Sequence, residues 1–240
     1  MPGALKTEAI VLRGIRYGEA DRILHLYTPD RGRVSAIAKG VRRAKSRFGG
    51  RLEPFFRLNL VLYEGRSDLL TVTSAETLAG HPRLREHEAA IDGAARACDA
   101  VSRLFGDGEP HRGVYHLLAN QLALLDESPA MATRSNVLAF RLKLLLAAGF
   151  APQLAACASC GEGDHLVGFS GAAGGVVCGA CEAGSFALSQ EGHDFLVAAL
   201  GRPLAEAPGA EPRALAQADR AILETLEHHA HVRLRATSAR

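Results

Sequence analysis

The chain has 240 residues, 48% of them hydrophobic and 22% charged, with a formal net charge of +2 and five cysteines. That length and apolar content give room for two or three compact units with a buried core, while the lack of any apolar run of about eighteen residues, 144–150 being the nearest, excludes a membrane-spanning helix. The small net charge hides an asymmetry: residues 1–80 hold fourteen Lys/Arg against eight Asp/Glu, net +6, and residues 81–240 hold fourteen against eighteen, net −4.

The first domain, residues 1–80, reads as β structure. No apolar leader precedes Thr7 and Glu8, so no signal peptide is expected and the chain is placed in the cytoplasm. Residues 9–12 open a strand, and 23–28 form a second that ends at the turn Pro29-Asp30-Arg31-Gly32. In a third, 33–39, Val34, Ala36 and Ala38 alternate with Arg33, Ser35, Ile37 and Lys39. A fourth carries Leu58, Leu60 and Leu62, and 69–74 supplies the fifth after a Gly-Arg-Ser-Asp turn. Five short strands with a long third connection suit a small barrel of the oligonucleotide-binding (OB) type, with an SH3-like barrel as the alternative.

That third connection concentrates the charge. Between residues 31 and 51 stand Arg31, Arg33, Lys39, Arg42, Arg43, Lys45, Arg47 and Arg51, with no acidic residue among them. Cations so crowded repel one another until a polyanion arrives. Gly40, Gly49 and Gly50 should let the segment follow a phosphate backbone, and Phe48 is expected to offer a surface on which a base stacks. No residue set for reading base edges is evident, so backbone tracking is expected rather than sequence selectivity.

Residues 81–240 read as a helical domain with an inserted ribbon. Helices are expected at 86–105, with Ala90, Ile91, Ala94, Ala95, Cys98, Val101 and Leu104 on the buried side, then at 114–125, 135–148, 190–200 and 214–234, leaving 236–240 frayed. Cys98 reads as a buried free thiol. Cys157-x-x-Cys160 and Cys178-x-x-Cys181, seventeen residues apart, have the spacing of a four-thiolate zinc ribbon over residues 155–187, with Gly161 and Gly179 allowing tight turns beside the sulfurs. Four thiolates leave no open coordination position, so one structural Zn2+ is expected. His228 and His231 lie three apart on the last predicted helix, but the sequence offers no third ligand. Loops for nucleotide, hydrolase or metalloprotease chemistry are missing, and no enzyme is expected.

The stretch Ala38-Lys39-Gly40-Val41-Arg42-Arg43-Ala44-Lys45-Ser46-Arg47-Phe48, followed by Leu52-Glu53-Pro54-Phe55, closely resembles the hallmark segment of the bacterial RecO family. So do Thr7 to Leu12, Leu144 to Pro152 leading into Cys157, and Phe169 with Gly174-Gly175 ahead of Cys178. The resemblance covers about residues 5 to 235. It implies an α+β chain: an N-terminal OB-fold barrel, then a helical bundle with an inserted zinc ribbon. It further implies a DNA repair and homologous recombination mediator without turnover, cytoplasmic and nucleoid-associated. Such a protein binds single- and double-stranded DNA, anneals complementary strands, engages the C-terminal tail of the single-strand-binding protein SSB, and with RecR helps load RecA onto gapped DNA. Carried over by position, Arg33, Lys39, Arg42, Arg43, Lys45 and Arg47 are the DNA contacts, to which the basic run adds Arg51. The acidic tail is expected in a basic and apolar groove of the helical domain that no motif fixes, with Arg134, Arg141 and Lys143 as candidates. Two other classes stay open at this point: an RNA-binding or ribosome-associated zinc-ribbon factor, and a metalloenzyme whose active site has no recognisable motif.

Overall fold

Five strands, β1 (Ala4–Tyr17), β2 (Asp21–Thr28), β3 (Gly32–Ala38), β4 (Arg57–Tyr63) and β5 (Leu70–Ala79), close into a barrel in the order β1-β2-β3-β5-β4. This is seen in a computed structural model that describes residues 3–65 and 67–237. The closing seam is parallel and short, Ala36 with Leu70 and Ile37 with Thr71. That order, with one parallel seam, is the OB arrangement and not the SH3-like alternative. Alternating side chains, Leu24 and Leu26 against Ala36 and Ala38, and Leu58, Leu60 and Leu62 against Val72, fill the interior.

β1 is much longer than the expected 9–12. Residues 4–10 pair with β4, a bulge falls between Val11 and Arg13, and the strand then continues beside β2 as far as Tyr17 opposite Asp21. A bulge turns the strand so that one segment serves two neighbours. Residues 13–17 are all exposed, so they carry no alternation to betray a strand.

The connection from β3 to β4 is a run of hydrogen-bonded turns, not an open loop. Arg43 N donates to Gly40 O at 3.2 Å, Ser46 N to Arg43 O at 3.0 Å, Gly49 N to Ser46 O at 3.3 Å and Arg51 N to Phe48 O at 3.3 Å. Phe48 and Leu52 are 2% and 1% exposed and pack into the barrel core. The expectation that Phe48 stacks on bases is therefore corrected. Burying two large apolar groups outweighs leaving them in water beside six cations, at roughly 1.5–3 kcal/mol each.

Two compact units are distinguished, Met1–Pro129 and Ala130–Arg240. The first also holds α1 (Glu88–Leu104) and α2 (Arg112–Glu127). The buried stripe of α1 is Ala90, Ala94, Ala97, Cys98 and Val101. Ile91 and Ala95, expected on that face, point to solvent. Small side chains on the inner face let α1 lie close to its neighbours. α2 is tied to the barrel by Tyr115, whose hydroxyl donates to Glu8 Oε2 at 2.9 Å while Arg57 Nη2 donates to the same oxygen at 2.8 Å. The Arg57 guanidinium holds the Glu8 carboxyl below the usual range.

The second unit is built on α3 (Arg134–Ala147), α4 (Gln190–Gly201) and α5 (Pro212–Thr225), with a small sheet of β6 (Leu166–Ser170), β7 (Gly175–Cys178) and β8 (Phe186–Ala187). α5 adds one π-helical turn, Leu226–Ala230, and stops at His231, which takes a left-handed φ of 54°. The helix expected to reach residue 234 is thus shorter. Asp219, 3% exposed, explains the departure: its Oδ2 accepts from Thr237 N and Oγ1, each at 2.7 Å, and its Oδ1 from Arg141 Nη1 at 3.3 Å. A buried carboxylate requires such partners, and meeting them draws the chain back. Residue 237 is consequently buried, not frayed, while 238–240 lie outside the described residues.

Phe48→Ala should lower the unfolding free energy of the barrel by about 3–5 kcal/mol, read from urea denaturation. An unchanged midpoint would show that the turn segment does not depend on its apolar plug.

Candidate nucleic-acid interface and metal centre

The turn segment leaves its cations nowhere to go but outward. Lys39, Arg42, Arg43, Lys45, Arg47 and Arg51 are all exposed. Among the described residues, Lys39, Arg42, Arg43 and Lys45 make no ion pair. Arg47 lies over the Phe48 ring at 4.7 Å and reaches Val72 O at 3.4 Å, and Arg51 reaches Ala75 O at the same distance. These two lean on β5 and keep part of each guanidinium free. Arg33 differs: its Nε donates to Asp107 Oδ1 at 2.6 Å and its Nη1 to Ser102 O.

Two of the acids near the segment, Asp21 and Glu53, are engaged, while Glu19 stands exposed in the turn between β1 and β2. Asp21 Oδ1 accepts from Gly40 N at 2.7 Å, where Gly40 takes a φ of 68° that suits glycine. Glu53 pairs with Arg22 at 2.7 Å. The cations of the segment outnumber the acids beside it and leave this edge of the barrel electropositive.

The β1–β2 hairpin extends the same surface. Arg42 N donates to Ala20 O at 2.9 Å, joining the turn segment to the hairpin tip, and Arg13 and Arg16 are exposed on β1 beside it. Sequence reading missed both arginines. The signal available was the abrupt end of apolar character after Leu12, in the run Arg13-Gly14-Ile15-Arg16-Tyr17. His25, on β2 opposite Arg13, is held below its ordinary pKa by burial first and then by the charges of Arg13 and Arg33, so it stays neutral at neutral pH.

A cleft of about 690 Å³ opens beside the first half of β3, lined by Arg31, Arg33, Ser35, Glu64, Asp68 and Asp107 among others. Arg31 pairs there with Glu64 at 3.0 Å, as Arg33 does with Asp107. Both arginines are paired and Asp68 adds a further negative charge, so the cleft lacks the potential that attracts a polyanion.

In the second unit, the sulfurs of Cys157, Cys160, Cys178 and Cys181 all lie within 4.8 Å of one another. The Cys160–Cys178 separation is 3.7 Å, and sulfurs at tetrahedral corners about 2.3 Å from a metal stand about 3.8 Å apart. The donor set thus fits one soft or borderline divalent ion. Gly161, at a φ of 82°, donates its N–H to Cys157 O at 2.8 Å and closes the first knuckle; Gly179 needs no such conformation. Gly175 seats the ribbon, since a Cβ there would stand 2.2 Å from Gln153 O. A backbone hydrogen bond from Cys178 holds the Cys157 thiol down to about 6, whereas its sulfur neighbours, Cys160 foremost, push Cys181 up to about 12. Four neighbouring thiolates require a cation to be stable together.

Other expectations are settled locally. Cys98 is 2% exposed, and burial raises its thiol to about 12. His231 stands beyond the helix, so it does not share a helical face with His228, and His229 Nε2 hydrogen-bonds Gly171 O at 2.7 Å. Among the described residues the four cysteines form the one cluster able to hold a metal. Arg141 is 4% exposed and occupied by Asp219 and Arg235 O, Arg134 Nε donates to Thr237 Oγ1, and Lys143 Nζ donates to Leu200 O. These three brace the second unit and do not make an open basic groove.

Comparison with known proteins places both halves of the chain. The family described as "Recombination protein O N terminal" matches residues 1–81 and "Recombination protein O C terminal" matches residues 89–238. The DNA repair protein RecO of Anaeromyxobacter dehalogenans (strain 2CP-C) is 38% identical over 97% of this chain and 94% of its own. Those of Rubrobacter xylanophilus and Bifidobacterium adolescentis are 44% and 42% identical, over 73% and 72% of this chain and 71% and 72% of theirs.

Titration of the metal-free protein with cobalt(II) should give thiolate charge-transfer and tetrahedral ligand-field bands that saturate at one equivalent, and Cys160→Ser should weaken binding and shift both. Octahedral spectra, or saturation unaffected by the substitution, would exclude the four-thiolate site.

Proposed function

Because the chain belongs to the RecO family of DNA repair proteins, we propose that it is a recombination mediator that grips DNA by charge and makes or breaks no covalent bond. In this reading residues 1–80 are the DNA-binding domain, and residues 81–240, with the ribbon at 155–187, are the helical domain. The observation that carries it is the set of Lys39, Arg42, Arg43 and Lys45, outward-facing and, among the described residues, without counter-ions on a barrel of the oligonucleotide-binding class. Arg47 and Arg51 add contacts after shifting off their carbonyl partners. Arg33, held by Asp107, contributes to the local potential more than to direct contact.

Such a surface binds single and double strands alike, because phosphate is common to both. It also favours annealing: cations between two backbones screen their repulsion within a Debye length of about 8–10 Å and leave the bases free to pair. Zinc is the ion proposed for Cys157, Cys160, Cys178 and Cys181, with a structural role, since four thiolates admit no substrate. Family membership supports the partners: RecR, the SSB C-terminal tail and, through them, RecA on SSB-coated gapped DNA. The proposed setting is the cytoplasm, at the nucleoid; no helix among the described residues is long and apolar enough to cross a membrane.

Replacing Lys39, Arg42, Arg43 and Lys45 together by alanine should weaken binding to a single-stranded oligonucleotide and flatten the slope of log K against log salt by about 2.8, at about 0.7 per phosphate contact. The fold and metal content should stay as in the parent. Equal affinity and equal slope in the two proteins would overturn the assignment.

A further inference from the structure

The buried Phe48 leaves the cationic edge without an aromatic partner from the turn segment, and the outer face of the β1–β2 hairpin supplies one. Beyond the bulge, Arg13, Ile15 and Tyr17 share a face, because successive strand residues alternate sides. Their cross-strand partners are His25, Ile23 and Asp21, and β3 continues two of the rows with Ser35 opposite His25 and Ile37 opposite Ile23. The other face carries Leu24 and Ala36 into the barrel core. The Ile15–Ile23–Ile37 row therefore crosses three strands on the outside of the barrel. Ile15 is 46% exposed and Tyr17 54% exposed.

A half-exposed isoleucine and tyrosine near the end of the hairpin are placed for contact rather than for packing. What they contact is indicated by their surroundings. Arg13 lies on the same face and Arg16 on the opposite one, and the hairpin tip is joined through Ala20 O to the Arg42 amide, at the start of the cationic turns. Glu19 is exposed in the turn itself, which disfavours phosphate at the tip and favours a ligand that presents an uncharged flat face there. An unpaired nucleic-acid strand has this pattern, with phosphates along one side and free base faces along the other. A duplex keeps its base faces stacked inside and offers the tip only phosphate.

Resting on the DNA-binding reading above, we propose that Tyr17, supported by Ile15, is the platform on which unpaired bases of single-stranded DNA stack, so that the hairpin adds a preference for single strands to a surface that otherwise accepts both forms. The hydroxyl has no part in this; the ring does the work.

The test uses the full chain, which contains no tryptophan, so Tyr17→Trp introduces a single reporter. Oligothymidylate should quench its fluorescence on binding, and a duplex of equal length should bind with little quenching. Tyr17→Ala should weaken oligothymidylate binding roughly 5- to 150-fold, the range of one lost base stack, with duplex affinity within about twofold; Tyr17→Phe should behave as the parent. Unquenched tryptophan in a complex detected by anisotropy of a labelled oligonucleotide, or equal single-strand affinity in Tyr17→Ala and parent, overturns the stacking role while DNA binding stands. A parent that binds neither oligonucleotide overturns the DNA reading and this inference together.

Discussion

Two apolar side chains determine where the charge of this protein sits. Phe48 and Leu52, sunk into the barrel core, hold a segment whose other conspicuous residues are cations. With four of its backbone amides closing successive four-residue turns, the segment places Lys39, Arg42, Arg43 and Lys45 on the outside. Mutual repulsion of those cations is offset by burial of the plug, since among the described residues none of the four is paired with a carboxylate. The surface is thereby organised before any ligand arrives, and less conformational entropy is lost when one binds.

A second constraint of the same type shapes the other unit. Asp219 is buried with Arg141 and gathers the end of the chain around it through Thr237. Arginines that look available for an acidic partner are thus structural. Polar groups at both places are explained by what burial requires of them: full pairing inside, and none where function calls for open charge.

Much of this was legible in the sequence because it depends on local pattern. Alternating Leu58, Leu60 and Leu62, the all-basic run from 31 to 51 and the two Cys-x-x-Cys knuckles each announce their structure within a few residues. Where sequence reading failed, the deciding contact was distant. Phe48 among arginines suggests a stacking ring until the barrel closes around it. Residues 13–17 look like a loop because all five are exposed, which erases the alternation. The final helix seems to run on to 234 because nothing local shows that Asp219 needs Thr237. The charge partners of Arg33 and Arg141, 74 and 78 positions away along the chain, are likewise invisible to spacing rules.

The central claim is that the cationic edge is built in advance and is where nucleic acid lands. Amide hydrogen exchange tests both halves in one experiment. The amides of Arg43, Ser46, Gly49 and Arg51 should be protected in the DNA-free protein, and a single-stranded oligonucleotide should add protection across residues 13–22 and 39–51. Exchange of those four amides at free-peptide rates without DNA, or protection by DNA confined to other segments, would contradict it.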